Sequence, residues 1–172
     1  ESWAELPSLE LDTDTPFSMA LWIYQPKVVG NFTVLGQDDP EDHSRGWSLT
    51  IQQRQLTFSM TGEKPGGHES PSPVKILPIN TKRMPPGIWT HIVVTHDGSG
   101  ERGGLHLYRN GELVEEQGSE FFAKVQGSIR TDHPLLLGRG YGKSTERKDP
   151  KARHFSGGGI ADLRFYNRPI TV

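Results

Sequence analysis

Three carboxylates stand on alternate positions at the head of the first long apolar stretch, in Glu10-Leu-Asp12-Thr-Asp14. Carboxylates spaced this way on a strand could supply the acid and the nucleophile of a glycosyl transfer, which needs two carboxyl groups about 5–5.5 Å apart. The run ends at Thr15-Pro16, where a strand begins, so it reads as a solvated turn. His91 and His96 share one β-branched run. Five residues apart, they fall on opposite faces of a strand and are not placed to share a metal; each reads as a packed, hydrogen-bonded side chain. Asp38-Asp39-Pro-Glu41-Asp42 carries enough oxygen for a hard cation. It lacks the D-x-D-x-D-G order of a dedicated calcium loop and reads as a solvated acidic loop. No Ser/His/Asp order or His-rich metal motif stands out. The absence of cysteine removes disulfides, thiolate metal sites and a thiol nucleophile.

Binding, as opposed to catalysis, would rest on exposed aromatic and basic side chains, since sugars stack their C–H faces on rings. Trp47, at a strand start after a loop, and Tyr141, in a Gly-rich basic loop, are the candidates for an exposed platform, whereas Trp22 and Trp89 read as core. Residues 139–153 hold Arg139, Lys143, Arg147, Lys148, Lys151 and Arg153. They read either as a contact for an acidic partner or a sulfated or uronic glycan, or as a solvated loop. A net charge of −2, with no basic strand interleaved with aromatics, argues against nucleic acid. No apolar run approaches the ~20 residues that span a bilayer.

The elements that must carry these residues are strands. Of the 172 residues only 33% are hydrophobic, and 20 glycines with 13 prolines imply many turns, as in a sandwich or barrel of short strands. Thr15–Gln25 is apolar on both faces, which predicts a central strand covered on each side. Gly46–Gln52 and Gln55–Thr61 alternate cleanly about Gln53-Arg54 and predict a hairpin, and Lys75–Asn80 predicts an edge strand limited by Pro78. Ile88–Thr95 and Leu105–Arg109 predict two more strands, the second leading through Asn110-Gly111 into Glu112–Glu116. Asn-Gly is a strong hairpin signal because both central residues of the turn need positive φ. Residues 120–129 leave room for one helical turn, Pro134–Gly138 predicts a short buried strand, and Ile160–Tyr166 the last one. Ten to twelve strands and no clear helix predict an all-β antiparallel sandwich. Residues 1–172 read as a single domain. A chain beginning at Glu1 with no signal peptide reads as a domain excised from a larger protein.

Trp89-Thr-His-Ile-Val-Val-Thr-His-Asp-Gly followed by Leu107-Tyr-Arg-Asn-Gly-Glu-Leu resembles the core motif of laminin-G-like and pentraxin-like domains of the concanavalin A-like superfamily. Phe17-Ser-Met-Ala-Leu-Trp-Ile resembles the early strand of that family. Leu136-Leu-Gly with Phe155-Ser-Gly-Gly-Gly-Ile-Ala-Asp-Leu-Arg-Phe-Tyr-Asn-Arg-Pro-Ile resembles its closing segment. The resemblance implies a jelly-roll β-sandwich and a non-catalytic binding or adhesion module recognising a glycan or polysaccharide. A structural module that contacts proteins or neighbouring domains is the alternative, and a glycoside hydrolase the remote one. The family's hydrolases use an E-x-D-x-(x)-E strand, and residues 10–14 end in Asp instead. The resemblance also implies one structural calcium ion held through the closing motif, where Ala161 replaces the first Asp and Asp162 remains as ligand. Ser44–Leu49 and Pro85–Gly98 are similar to the version found in large planctomycete-type proteins with cytochrome-c-like domains, which implies export to the periplasm, cell surface or medium.

Overall fold

A computed structural model describes residues 3–25, 30–42, 44–63, 74–76, 83–114, 124–140 and 154–172. Eleven strands are present among them: β1 (Ala4–Leu6), β2 (Phe17–Tyr24), β3 (Asn31–Asp39), β4 (Arg45–Gln52), β5 (Gln55–Thr61), β6 (Val74–Ile76), β7 (Trp89–His96), β8 (Leu105–Arg109), β9 (Glu112–Leu113), β10 (Leu135–Leu137) and β11 (Gly159–Tyr166). They form a six-stranded sheet, β1-β10-β3-β4-β5-β6, and a five-stranded sheet, β11-β2-β7-β8-β9. Every pairing is antiparallel. The all-β sandwich expected from the strand pattern is therefore the observed architecture. The β4–β5 turn places Gln53 and Arg54 at φ 50° and 71°, and the β8–β9 turn places Asn110 and Gly111 at 53° and 85°, as the primed hairpin turns require. The one helical turn among the described residues is a 3-10 turn at Arg102–Gly104. Residues 120–123, where the sequence left room for one, lie outside the described set.

The core forms because side chains alternate sides along each strand. Phe17, Met19, Leu21 and Ile23 of β2 face Leu35 of β3, Leu49 and Ile51 of β4, and Leu56, Phe58 and Met60 of β5, with Ile92 and Val94 of β7 beside them. Trp47 belongs to this core. It is 3% exposed, stacks on Phe58 at 6.0 Å and meets Phe165 edge-on at 6.0 Å. Its expected role as an exposed sugar platform is thus corrected: Trp47, Leu49 and Ile51 share the inward face of β4. Replacing Trp47 by Ala is expected to cost about 3–5 kcal/mol of stability, measured by urea unfolding; a loss under about 1 kcal/mol would place the ring outside the core.

His96 ends β7 inside the sandwich. Its Nδ1–H donates to the Thr15 carbonyl at 3.1 Å and its Nε2 accepts the Gly100 N–H at 3.2 Å, so the ring is neutral and ties two loops to the strand. Burial pushes its pKa down, against the Thr15 bond and the Asp97 charge, which push it up. The folded state therefore binds fewer protons than the unfolded one just below the ordinary value of 6.5. Stability from this group is complete above 6.5 and is lost as pH falls through the lowered folded pKa, with a slope of at most about 1.4 kcal/mol per pH unit. His96→Gln is expected to flatten the pH 5–7 stability slope; an unchanged slope would assign that dependence elsewhere.

Candidate functional site

The even-numbered residues of β2 and the odd-numbered residues of β7 point away from the core. Cross-strand register pairs Trp22 with His91 and Tyr24 with Trp89. The ring centroids lie 5.0 Å apart in the first pair and 5.6 Å in the second. These pairs are not covered by a third layer: Trp22 is 39% and Trp89 46% exposed. The expectation that both tryptophans belong to the core is corrected by this. The strand is central, between β11 and β7, but its outer face is open here. Trp89 lies over Gly159 of β11, where an added Cβ would stand 2.9 Å from the far edge of the indole. Glycine at this position lets the ring lie low across the sheet.

A cavity of about 300 Å³ adjoins the aromatic pairs, with Ala20 and Val93 in its floor and His91, Asp162, Arg164 and Tyr166 around it. β11 builds the polar wall. Its register against β2 shifts between Ala161 and Arg164, opposite Trp22 and Ala20, so one extra residue bulges out of the ladder. Asp162 occupies the bulge at φ 51°. Its carboxylate accepts Arg164 Nε at 2.8 Å and Nη2 at 3.0 Å. Past the bulge, Leu163 and Phe165 pack on the core, leaving Arg164 and Tyr166 on the outer face.

Asp162 was expected to be a calcium ligand. Calcium takes six to eight oxygens, loop carbonyls among them; each oxygen of this carboxylate accepts one guanidinium N–H, and no group of three acidic or histidine side chains able to hold a metal occurs among the described residues. Calcium added to chelator-treated protein is expected to raise the melting temperature by several degrees if Asp162 is a ligand; an unchanged melting temperature would overturn the calcium expectation.

The other sequence candidates are dispersed. Arg139 lies beyond β10, on the other sheet, with its guanidinium 5.1 Å from the ring centroid of Trp3. Trp3 is exposed and was not among the aromatics singled out from the sequence. Tyr141 and the basic residues of 141–153 lie outside the described residues. Glu10 pairs with Arg130 at 2.9 Å. Asp12 accepts N–H groups of Thr13 and Ile129 and the Ser128 hydroxyl; burial opposes its charge, but these bonds together hold its carboxyl below the usual range. Both carboxylates fasten 10–12 to 128–130. Asp39 belongs to β3, receives the N–H groups of Glu41 and Asp42 and faces His133 at 3.5 Å. The acidic run is thus folded upon itself. His91 and His96 fall on opposite faces, as their spacing predicts. Arg164 and Tyr166 were missed, although their alternation with Leu163 and Phe165 could have pointed to them.

The laminin-G family described as the concanavalin A-like lectin/glucanases superfamily matches residues 1–172. No curated protein matches at a significant level. Among solved structures, the binding domain of Paraclostridial Mosquitocidal Protein 1 is similar at a TM-score of 0.68 and 16% identity, over 98% of this chain and 38% of that one. The ligand binding domain of botulinum neurotoxin serotype D, in complex with N-acetylneuraminic acid, is similar at 0.62 and 14%, over 98% and 37%. The native heptameric SAP-like pentraxin from Limulus polyphemus is similar at 0.57 and 14%, over 97% and 68%. The chain therefore spans 37–38% of the toxin domains. At these identities the likeness is one of fold.

Proposed function

This chain belongs to the concanavalin A-like lectin/glucanases superfamily, and we propose that it is a non-catalytic glycan-binding module of a larger exported protein, with the outer face of the five-stranded sheet as its contact surface. The observation that carries the reading is the pair of open aromatic rungs, Trp22/His91 and Tyr24/Trp89, beside a cavity walled by a carboxylate and a guanidinium. A sugar ring has an apolar C–H face and a rim of hydroxyls. Covering the face with indole removes apolar surface from water at about 25 cal/mol per Å². The hydroxyls need donors and acceptors in place of water, which Asp162, Arg164 and Tyr166 offer at the edge of the rungs. The N-acetylneuraminic acid held by a neurotoxin domain of similar fold supports sugar binding by analogy only. Glu10 and Asp12, tied to 128–130, support a non-catalytic role. Export rests on the resemblance of Ser44–Leu49 and Pro85–Gly98 to exported multidomain proteins.

A second reading uses the same surface. Exposed Leu113 stands opposite Tyr108 on this face, and Trp-rich patches make strong protein contacts, so a neighbouring domain could dock there.

Titration against a glycan array separates the two. Trp22→Ala or Trp89→Ala is expected to weaken glycan binding about tenfold or more without altering the circular dichroism spectrum. Binding that survives both substitutions and is lost in Arg139→Ala would move the contact to the rim around Trp3. A blank array, with saturable binding to the flanking domains that Trp22→Ala abolishes, would establish the docking role instead.

A further inference from the structure

The outer face is closed at one end. Beyond Tyr166 the chain turns back over β2: the Ser18 hydroxyl donates to the Arg168 carbonyl at 2.8 Å and accepts the Ile170 N–H at 2.9 Å. Ser18, Ala20, Val93 and Thr95 all point outward, yet all four are buried. An outer face of a two-layer sandwich stays wet unless something lies across it, and the described chain that lies there is 168–172. Ile170, Thr171 and Val172 complete the lining of the cavity. One strand step further on, Trp22 is exposed beside half-buried His91, and a step beyond them Trp89 is exposed beside half-buried Tyr24. Each step is about 7 Å, two residues along a strand. The result is a lane: a cavity walled by 168–172, then two aromatic rungs in line.

The charged side chains around the cavity are Asp162 and Arg164, joined by two hydrogen bonds, and Arg164 also bonds the Tyr166 side chain. An anionic sugar would meet the Asp162 charge beside Arg164, and the pair as a whole offers it no net positive charge. Adjacent sugar hydroxyls ask for less. A carboxylate has about four lone-pair sites and a guanidinium five N–H donors, so the pair still offers an acceptor and a donor side by side, which is what two neighbouring hydroxyls need.

Resting on the glycan-binding reading of this face, we propose that the domain recognises the end of a neutral polysaccharide chain. The terminal sugar enters the cavity and bonds Asp162 and Arg164; the following sugars stack on Trp22 and then Trp89. The 168–172 segment stops the chain from running through.

The test is calorimetric titration of the whole domain with neutral glucan, xylan, mannan and galactan oligosaccharides of two to six sugars, their parent polysaccharides, and heparin and polyuronate as anionic probes. The expected result is one domain bound per neutral chain whatever its length, affinity that levels off at about three sugars as the rungs fill, and little change with salt. Asp162→Asn keeps the left-handed backbone, which asparagine adopts readily. It is expected to lower neutral-chain affinity and to raise affinity for the anionic probes about tenfold by removing the negative charge beside Arg164. Stoichiometry that grows with chain length, while Trp22→Ala still abolishes binding, would overturn chain-end recognition and leave the glycan-binding face standing. Binding confined to heparin or polyuronate and weakened by salt would overturn the neutral ligand class. No binding to any of these would overturn both.

Discussion

The eight-residue antiparallel pairing of β2 with β7, from Phe17 opposite His96 to Tyr24 opposite Trp89, is the constraint on which the rest of the molecule depends. It assigns Met19, Leu21, Ile23, Ile92 and Val94 to the interior and Trp22, Tyr24, Trp89 and His91 to the outside in a single step. A slip of one residue would exchange the two sets, burying the polar side of Tyr24 and His91 and exposing the core. The apolar inner set is matched by the inward faces of β3, β4 and β5, so the register is held by the whole hydrophobic interior. His96, bonded at both ring nitrogens, fixes one end of the pairing. At the other, the Asn110 side chain accepts the His91 N–H at 2.9 Å, so the turn of the neighbouring hairpin is pinned to β7.

With the register held, smaller devices shape the outer face. The bulge of β11 re-aims its side chains so that Arg164 and Tyr166 stand beside Ala20 and Ser18. It also disrupts β11, the edge strand of this sheet among the described residues, which would otherwise invite another strand. Gly159 leaves room for the Trp89 indole to lie low. Ser18, through two hydrogen bonds to 168–170, holds the chain across half of the face. Core geometry, edge protection and site geometry are therefore consequences of the same few strands, and the proposed contact surface is rigid sheet.

Much of the scaffold was legible in the sequence. Asn110-Gly111 and Gln53-Arg54 announce their turns through residue chemistry and strand alternation, and the observed backbone has positive φ at each. The site was less legible because alternation tells which residues share a face without telling which face is covered. In β4 the set Trp47, Leu49, Ile51 was available and points inward; its position after a loop suggested exposure, and packing prevailed. In β2 apolar residues on both faces suggested cover on both sides, yet only Ser18 and Ala20 receive it, from a segment some 150 residues away in sequence. Asp162 looked like a ligand because of its place in a motif, while its partner Arg164, two residues along, stands on the outer face only because the strand bulges. Long-range cover and irregular register are tertiary facts, and local pattern does not carry them.

The central claim, that the open aromatic face of the five-stranded sheet is where the ligand sits, is tested most directly by the indole N–H resonances of the four tryptophans in an NMR titration with a neutral oligosaccharide that binds. Trp22 and Trp89 are predicted to shift together and saturably, while buried Trp47 and the distant Trp3 stay in place. A saturating shift of Trp3 with Trp22 and Trp89 unmoved would contradict the account and move the ligand to the opposite sheet.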